Sequence, residues 1–383
     1  MHRLTVLQLG MGWFPEQPGG LNRVYYDLLH SLPLVGVECK GVITGQSPID
    51  GPLGETIKVA APLNGNLADR CLSLRRVTRE ILDQDSIQLV AIHFALYGIL
   101  AVKSIPPRPM VMHFHGPWAL ESKVEGASPM TVRLKHWVER YVYRRASRYV
   151  VLSSAFRKVL SQSYGIDETK IRIVPGQVDT ERFNTLASRT EARRKLGWPL
   201  DRPIVVSVRR LVGRMGLEEL VTAVRLIRND HPDVLLHIAG KGPLAHELQK
   251  RIDGEGLTEF VRLLGYVSES ELPTIYRAAD FSIVPTSSLE GFGLIAAESL
   301  ASGTPVLVTP VGGLPEVVAD LAPALVMSSP QAGDIADSLG AALSGRLSVP
   351  TEEQCRTYAV AKFDRRTVAG QIKQVYEEAI ATA

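Results

Sequence analysis

The chain has 383 residues, of which 45% are hydrophobic and 22% charged, and its formal net charge is +3. This composition is typical of a globular protein and excludes collagen-like, disordered and coiled-coil chains. At about 100 to 200 residues per domain, the length predicts two or three domains.

Cysteine usage and hydropathy narrow the class further. Cys39, Cys71 and Cys355 lie far apart and include no CxxC pair, so neither a disulfide framework nor a cysteine-based zinc site is supported. The start of the chain lacks a cationic leader with a small-residue cleavage site, and no window approaches about 18 consecutive apolar residues. We therefore expect a cytoplasmic protein that is neither exported nor membrane-spanning.

Short β-branched apolar runs alternate with longer segments of helical period, a pattern typical of a parallel sheet covered by helices on both faces. A first series predicts strands over 4–10, 38–44, 57–62, 89–94, 110–115, 149–153 and 171–175. A second series predicts strands over 203–208, 235–240, 261–267, 281–285, 305–309 and 324–328. Helices such as 216–229 and 294–301 lie between them, so two doubly wound units in tandem fit better than one.

A polar stretch from Pro175 to Asp201 separates the two series, and its middle, TEARRKLG, predicts one short solvated helix. We place the hinge there, with an N-terminal domain over 1–185 and a C-terminal domain over 186–361. Residues 362–383 predict an amphipathic helix that packs back across the hinge.

Glycine-rich turns follow several predicted strands, namely 10–20, 240–243, 291–293 and 312–313. In open α/β sheets, ligands bind at the carboxyl ends of the strands, where glycines let backbone N–H groups at a helix N-terminus meet phosphate oxygens. Each turn alone is more often a tight turn. Their recurrence in both series favours phosphate binding.

Two carboxylates, Glu290 and Glu298, stand eight positions apart in the segment 286–318. With a helix starting near Leu294, Glu290 lies in the preceding loop and Glu298 one turn into the helix. Such a pair can hydrogen-bond sugar hydroxyls while the helix N-terminus holds a diphosphate. On spacing alone, a helix-capping acid and a solvated residue remain the simpler interpretations.

The string EGFGLIAAESLASGTPVLVTPVGGLPEVV at 290–318 closely resembles the E-x7-E segment of family four of the nucleotide-sugar glycosyltransferases, retaining enzymes of the GT-B fold. Further matches follow in the family's order: PGGLNRVYYDLLHSL at 18–32, MHFHGPW at 112–118, IRIVPGQVDTERF at 171–183, SVRRLVGRMGLEELVTAV at 207–224, IAGKGP at 238–243 and LLGYVSESELPTIYRAADFSIVPT at 263–286. The resemblance covers nearly the whole chain. It implies two tandem Rossmann-like α/β domains that face each other across a cleft.

The resemblance implies that a sugar moves from a nucleotide diphosphate sugar to an acceptor hydroxyl with retention of configuration. Polysaccharide, glycolipid or cell-envelope glycan synthesis is the expected setting, with a glycan, lipid-linked or small-molecule acceptor. Front-face attack is the implied mechanism, in which the leaving phosphate oxygen takes the acceptor's proton. A double displacement with Glu290 as nucleophile is disfavoured, because such sites keep a second carboxyl about 5 Å away.

Site roles also follow from the resemblance. His115, Glu290 and Arg210 are the implied catalytic residues, and Glu298 is expected to hold the ribose hydroxyls. The other implied donor-binding residues are Gly19, Gly20, Arg209, Arg214, Gly242, Tyr266, Gly291, Phe292, Gly293 and Leu294. His113, by contrast, is predicted to be a hydrogen-bonded core residue, and Trp118 fits either an acceptor pocket or ordinary core.

The chain departs from the family pattern at two places. The family has an arginine and, five residues on, a lysine that neutralise the diphosphate, whereas here Arg210 is followed by Met215. Arg214 is the preferred substitute for the lysine, with Arg209 in a shifted register held in reserve, since a guanidinium binds phosphate bidentately. The segment GQVD at 176–179 stands where the family shows NGVD, which puts the role of that asparagine in doubt.

No metal or other cofactor is expected. The DxD string at 83–85 lies at the end of a helical run rather than at the carboxyl end of a strand, and no histidine cluster supplies a transition-metal site. Three other functions stay open: a nucleotide-sugar epimerase, a non-catalytic nucleotide-sugar-binding protein and, least favoured, a dinucleotide-dependent oxidoreductase, whose G-x-G-x-x-G motif is incomplete here.

The segment 130–148 combines six Lys and Arg residues with Trp137, Tyr141 and Tyr143 against one acid, Glu139. Residues 1–190 as a whole hold 23 Lys and Arg against 16 Asp and Glu, a net +7. Such a helix can rest on anionic lipid at the inner face of the membrane. A core-facing stripe that includes Leu134 and Trp137 is the competing interpretation, and no nucleic-acid recognition motif accompanies the basic residues.

Overall fold

The computed structural model describes residues 4–14, 16–46, 49, 51, 53–102, 105 and 107–382. The chain divides into two compact units, one of Met1–Gln177 with Arg365–Ala383 and one of Val178–Asp364. The division after Gln177 falls eight residues before the boundary that the sequence predicts. The C-terminal helix belongs to the first unit.

The first unit is built on a parallel sheet of seven strands in the order β3-β2-β1-β4-β5-β6-β7. The strands are β1 Leu4–Gly12, β2 Val37–Thr44, β3 Ile57–Ala61, β4 Leu89–Ile92, β5 Met110–Phe114, β6 Arg148–Val151 and β7 Ile171–Ile173. β1, β4 and β5 are almost wholly buried, as expected of parallel strands covered on both faces.

Helices connect these strands, and polar caps define several helix starts. They are α1 Gly20–Ser31, α2 Leu67–Gln84, α3 Ala95–Ala101, α4 Trp118–Val124, α5 Pro129–Tyr143 and α6 Ser154–Tyr164. Asn66, Ser128 and Ser153 each accept a hydrogen bond from a backbone N–H of the helix that they precede. Gly165 ends α6 with a φ of 69°, a conformation that favours glycine.

The second unit repeats the plan with a parallel sheet of five strands in the order β10-β9-β8-β11-β12. These are β8 Ile204–Val208, β9 Leu235–Ala239, β10 Val261–Gly265, β11 Phe281–Val284 and β12 Val306–Val308. Its helices are α7 Thr180–Phe183, α8 Arg189–Leu196, α9 Leu217–Ile227, α10 Ala245–Gly254, α11 Leu272–Ala278, α12 Leu294–Ala301, α13 Leu314–Val318, α14 Ala332–Leu343 and α15 Glu352–Phe363.

The predicted C-terminal helix corresponds to α16, Arg365–Ala381, and the first two residues of the predicted segment belong to the preceding helix, α15. α15 ends at Phe363, and α16 starts after an extended residue, Asp364. Asp364 forms a parallel bridge with Val178, whose N–H donates to the Phe363 carbonyl, and its carboxylate accepts from the Thr180 hydroxyl. α16 buries the predicted apolar stripe in the first unit.

Twelve predicted strands are confirmed to within two residues at either end. The thirteenth, 324–328, is wrong: Pro323–Leu325 is a 3-10 turn, and only Val326 bridges to Val308. Proline lacks the N–H that a ladder needs and favours the first position of a helical turn, which explains the difference.

Both sheets reverse their strand order at one point, between β1 and β4 in the first unit and between β8 and β11 in the second. Loops from the two neighbouring strands leave in opposite directions there and open a crevice at the carboxyl edge of the sheet. The segments that follow β1, β4, β8 and β11 are therefore expected to form the ligand-binding site.

His237 on β9 predicts an acid-sensitive second unit. Its side chain is fully buried against Trp198, with ring centroids 4.1 Å apart, and neither ring nitrogen has a partner among the described residues. Burial, assisted by Arg262 and Arg202, lowers the pKa of His237 to about 4. Since the unfolded chain takes up this proton near pH 6.5, stability falls as the pH drops from about 6.5 to 4, by about 3 kcal/mol.

Replacing His237 by phenylalanine keeps a ring in the core and removes the titrating group. We expect H237F to lose about 3 kcal/mol less than the unaltered chain between pH 7.5 and 4 in urea unfolding. Identical pH dependence of the two proteins would contradict this assignment.

Candidate active site

Three glycines at strand ends of the second unit hold neighbouring loops in backbone contact. A Cβ on Gly240 would lie 1.8 Å from the Arg209 carbonyl oxygen, one on Gly216 equally close to that of Pro285, and one on Gly312 equally close to that of Glu290. All three have positive φ, of 147°, 70° and 59°. These glycines thus interlock the loops after β8, β9, β11 and β12, and phosphate binding by the turns at 240–243 and 312–313 stays a prediction.

The loop that carries Glu290 is conformationally strained. Leu289, the residue before it, has a φ of 52°, the only positive value among the described non-glycine residues. The Glu290 carbonyl is held by the Gly313 N–H at 3.0 Å. Strain of this kind costs about 1 to 3 kcal/mol and persists where the surroundings fix the backbone, commonly at functional sites.

An ion pair between Arg209 and Glu290 occupies the point where the second sheet reverses. Arg209 Nη2 lies 2.6 Å from Glu290 Oε2, 2.5 Å from Thr286 Oγ1 and 2.6 Å from Met215 Sδ. Only 7% of the Arg209 side chain and 16% of the Glu290 side chain are exposed. Nε of Arg209 is buried and has no partner among the described residues, so this guanidinium retains donor capacity.

The other two arginines of this loop are placed differently. Arg214, in the segment after β8, packs against the loop that carries Glu290, and its Nη1 donates to the Leu289 carbonyl at 2.9 Å. The side chain of Arg210 is exposed. Arg209, the second choice of the sequence prediction, is therefore the arginine that contacts Glu290.

Helix α12 starts at Leu294, as predicted, and no side chain of the described residues caps its N-terminus. Gly293 precedes it with a φ of 91°. Phe292 is a buried anchor, with its ring 5.6 Å from that of Phe363, so the amides beside it are set by core packing. Gly291 completes the turn before it. Uncapped N–H groups next to Glu290 form an anion-attracting end.

Glu298 lies one turn into α12 and is buried at 7% exposure. The Tyr276 hydroxyl donates to its Oε2 at 3.3 Å. Burial, with the Glu298 carboxylate next in importance, raises the pKa of Tyr276 well above its ordinary value, so the phenol stays a donor. Glu298 is thus an oriented carboxylate rather than the solvated helix residue of the simpler interpretation.

At the ends of β9 and β10, Lys241 and Tyr266 form an exposed pair. The Lys241 ammonium lies 5.0 Å from the centroid of the Tyr266 ring, and Tyr266 is 62% exposed. Gly242 packs on the next loop, where a Cβ would lie 2.3 Å from the Leu211 carbonyl oxygen. The pair offers a flat aromatic surface and a cation at the edge of the second sheet.

In the first unit, Gly19 and Gly20 begin α1, and a Cβ on either would meet no atom within 4 Å. No side chain among the described residues caps this helix. The loop between β1 and α1 therefore presents backbone N–H groups in open space at the carboxyl edge of the first sheet.

His115 follows β5 directly and belongs to a group of three histidines, of which His93 and His113 are buried and His115 is partly exposed. Its Nε2 lies 3.0 Å from His93 Nδ1, and the His93 and His113 rings stack with centroids 4.3 Å apart. His113 Nε2 is 2.8 Å from the Tyr376 hydroxyl, which confirms it as a hydrogen-bonded core residue. Burial lowers the pKa of all three rings, that of His115 to about 4, so all are neutral at pH 7.

Glu139, the lone acid of the basic segment, is fully buried. Its carboxylate accepts from the N–H groups of Trp118 and Ala119 and from the hydroxyls of Tyr143 and Tyr164. It therefore anchors the start of α4, three residues after His115. Trp118 is partly exposed under Lys135, whose ammonium lies 4.4 Å from its ring centroid.

Several residues of these clusters were missed by sequence reasoning. The sequence predicts no site role for Thr286, Gln8, His93 or Tyr376. Only the position of His93 near the carboxyl end of the predicted strand 89–94, in LVAIHF, could have signalled it, because β4 borders the point where the first sheet reverses.

The predicted core-facing stripe of α5 is partly wrong. Val138 and Val142 are buried, but Met130, Leu134 and Trp137 are 81%, 62% and 57% exposed. These three residues form an exposed apolar face on one side of the helix. Exposed arginines flank this face at 133, 140, 144 and 145.

The described residues carry neither a clustered metal site nor a membrane-spanning helix. They include no group of three or more His, Cys, Asp or Glu side chains placed to hold a metal ion. In the same part of the chain, no helix has the length and apolar character needed to cross a bilayer. Asp83 ends α2 in an i,i+4 ion pair with Arg79, at 3.9 Å, as expected of a solvated helix terminus.

Comparison with known families gives two adjacent matches. The model described as "Glycosyl transferases group 1" matches residues 188–362, and that described as "Glycosyltransferase Family 4" matches residues 18–182. Among curated proteins, a D-inositol 3-phosphate glycosyltransferase of Nocardia farcinica is 33% identical over 306 residues, which cover 75% of this chain and 67% of the relative.

Solved structures are similar over nearly the whole chain. Sucrose-phosphate synthase from Thermosynechococcus elongatus superposes with a TM-score of 0.82 and 22% identity, covering both chains completely. The Anabaena protein HepE, crystallised with UDP and glucose, superposes with a TM-score of 0.79 and 18% identity, covering 98% of this chain and all of that one. At this identity the likeness concerns the fold.

Proposed function

Because this chain belongs to family four of the glycosyltransferases, with the two Rossmann-like units of the GT-B fold, we propose that its second unit binds the donor, a nucleotide diphosphate sugar. The chain is a glycosyltransferase. The transfer goes to an acceptor hydroxyl and retains the anomeric configuration.

One observation carries the donor assignment: the Arg209–Glu290 pair beside the uncapped start of α12. When the bond between the anomeric carbon and the phosphate breaks, negative charge grows on the nucleoside diphosphate. Cationic and N–H donors that are fixed beforehand stabilise that charge most effectively. Arg209, Arg214 and the amides of Gly293 and Leu294 meet this need at one sheet edge.

Arg209 supplies the charge that the family places five residues after its arginine. Met215 occupies the lysine position, and Arg209 Nη2 lies 2.6 Å from the Met215 sulfur. The guanidinium therefore lies against the side chain that occupies the family's lysine position. Its unpaired, buried Nε is a donor for a phosphate oxygen. Arg210, which is exposed, has the secondary role of an outer cation.

Glu290 is positioned for the sugar rather than for the phosphate. Arg209 and Thr286 hold one of its carboxylate oxygens, and the strained backbone at Leu289 fixes its loop. Glu298 accepts from the ribose hydroxyls in a neighbouring place on α12. Tyr266 offers its exposed ring to the base, and Gly19 and Gly20 offer backbone N–H groups to the diphosphate.

Transfer then needs one concerted exchange of bonds. The bond from the anomeric carbon to the phosphate oxygen breaks, and the acceptor oxygen bonds to that carbon from the same face. The acceptor's proton passes to the departing phosphate oxygen, so atoms and charge balance without a protein nucleophile. His115 contacts a hydroxyl of the transferred sugar.

A donor screen tests this function. We expect one class among UDP-, GDP- and ADP-sugars to raise the melting temperature of the full chain by several degrees, since a ligand that binds only the folded state stabilises it. That donor should then release nucleoside diphosphate in the presence of an acceptor. A glycoside product with the donor's anomeric configuration supports transfer, whereas an epimerised nucleotide sugar without a glycoside would indicate the isomerase alternative.

The same assay decides whether a metal takes part. We expect turnover with excess EDTA to match turnover without it, because guanidinium and amide donors carry the diphosphate. Abolition by EDTA with recovery on adding Mg²⁺ or Mn²⁺ would contradict the metal-free mechanism.

The exposed face of α5 fits an anionic membrane surface. Met130, Leu134 and Trp137 lie beside the four exposed arginines, so apolar side chains can enter the headgroup region while cations meet lipid phosphates. This placement implies an acceptor at the inner face of a membrane, consistent with glycolipid or cell-envelope glycan synthesis.

Vesicle sedimentation tests the membrane proposal. Leu134→Ser with Trp137→Ser should weaken binding to vesicles of phosphatidylglycerol and phosphatidylcholine more than tenfold, since each apolar side chain contributes about 1.5 to 3 kcal/mol on burial. Leu72→Ser, an exposed leucine on α2, is the matched control and should bind normally. Equal binding of all three proteins, or binding indifferent to anionic lipid, would contradict the proposal.

A further inference from the structure

Hydrogen bonds link Gln8, His93 and His115 across three adjacent strands of the first sheet. Gln8 lies on β1, His93 follows β4 and His115 follows β5. His93 Nε2 is 2.8 Å from Gln8 Oε1, and His93 Nδ1 is 3.0 Å from His115 Nε2. Gln8 and His93 are each 1% exposed, so water does not compete for these bonds.

The side-chain amide of Gln8 sets the donor-to-acceptor direction of these hydrogen bonds. Its Nε2 donates to the Tyr376 hydroxyl oxygen at 3.0 Å, which turns its carbonyl oxygen toward His93. Burial raises the pKa of the nearby Cys39 thiol, and Gln8 opposes that rise. A hydroxyl and a thiol can each accept from the amide nitrogen, which leaves the amide oxygen for His93 Nε2.

Proton positions in both rings follow from that orientation. The Gln8 oxygen can only accept, so His93 Nε2 carries the proton and donates. His93 Nδ1 is then an acceptor, and His115 Nε2 must carry the proton that it receives. His115 is thereby held as the Nε2–H tautomer, with Nδ1 as a lone pair.

That lone pair has no donor among the described residues. His115 Nδ1 is buried, and the two amide atoms of Gln177, a residue 3% exposed, are likewise buried and unpaired. Both side chains line one small cavity behind the carboxyl ends of β5 and β6. Buried acceptors are nearly always paired, so this pair marks a place for one hydroxyl group.

We propose that Gln8 and His93 are positioning residues for the transfer reaction, and that they present His115 Nδ1 as the acceptor for a hydroxyl of the transferred sugar, with Gln177 beside it. The inference rests on the proposed function for the identity of the ligand. It assigns new roles to Gln8, His93 and Gln177, and it requires the ligand group to be a donor, which excludes a deoxy or O-methylated sugar at that position.

Histidine ring nitrogens report the tautomer directly. In full-length protein labelled with ¹⁵N histidine, at pH 7.5 and without ligand, His115 should show a protonated Nε2 and an unprotonated Nδ1, assigned by comparison with a His115→Gln sample. A proton on His115 Nδ1 would overturn the proposal whatever the enzyme's activity.

Three variants test the consequence for catalysis. His93→Phe fills the same space but leaves His115 Nε2 unpaired, and kcat should fall about ten- to hundredfold with little change in donor KM. His93→Gln offers both an acceptor and a donor, and should recover kcat to within about fivefold. Tyr25→Phe is the matched control. It removes a buried hydrogen bond from the Tyr25 hydroxyl to the Gln8 backbone carbonyl, which is not part of the Gln8–His93–His115 side-chain series, and it should keep full activity.

Failure of this inference is distinguishable from failure of the proposed function. Normal kcat in His93→Phe would overturn the positioning role while the transferase stands. No release of nucleoside diphosphate by the unaltered chain with any donor would instead remove the proposed function, and with it the sugar hydroxyl as ligand.

Discussion

Arg209→Met is expected to lower turnover about 100- to 1,000-fold, the usual effect of removing one fixed donor from a developing anion. The guanidinium is 7% exposed and sits between Glu290 and the sulfur of Met215, so no neighbouring cation can take its place without rearrangement. Initial rates of nucleoside diphosphate release measure the effect. Arg262→Met, an exposed arginine on β10, is the control.

A reciprocal exchange tests where the charge must be. Arg209→Gly combined with Met215→Lys moves the cation from one loop position to the other, and we expect it to recover turnover to within about tenfold of the unaltered chain. Met215→Lys alone places two cations side by side and should lower activity through their repulsion. Full activity in Arg209→Met would refute the role given to this residue and return it to Arg210.

Glu290→Gln is expected to lower kcat about 100- to 1,000-fold while the affinity for the nucleoside diphosphate changes less than threefold. The substitution preserves shape but removes the negative charge that faces the oxocarbenium-like sugar, an interaction made only as the transition state forms. Steady-state kinetics with the donor found by the thermal screen, together with calorimetric titration of the nucleotide, separate the two quantities.

Glu298→Ala provides the complementary result. It removes the carboxylate that Tyr276 orients, and it should weaken nucleotide binding ten- to hundredfold with a smaller effect on kcat at saturation. Equal loss of nucleotide affinity in the two variants would contradict this division between sugar and ribose.

Much of the fold could be predicted because hydrophobic period and glycine punctuation are local. The strands of both sheets and the starts of α8, α9 and α12 follow from such patterns. The break at Asp364 could not be predicted, because it depends on a bridge to Val178 almost two hundred positions away. The false strand at 324–328 shows the converse, since its apolar run favours a strand while Pro323 starts a 3-10 turn and only Val326 bridges to Val308.

The motif predicted the neighbourhood of the site but not its contacts. E-x7-E located Glu290 and Glu298, and α12 begins where the glycines indicated. The choice of Arg209 over Arg210 could not be made, because it depends on which face of the loop after β8 meets the loop after β11. The exposure of Leu134 and Trp137 also could not be predicted, because a helical period of apolar residues does not show which of them pack against the rest of the protein.

The central claim is that cationic side chains and backbone amides hold a diphosphate without a metal. Calorimetric titration of UDP, GDP and ADP in excess EDTA tests it most directly. We predict that one of them binds the unaltered chain in EDTA, and that Arg209→Met weakens its binding at least tenfold. Binding of none without a divalent cation, or equal binding by the variant, would contradict the account.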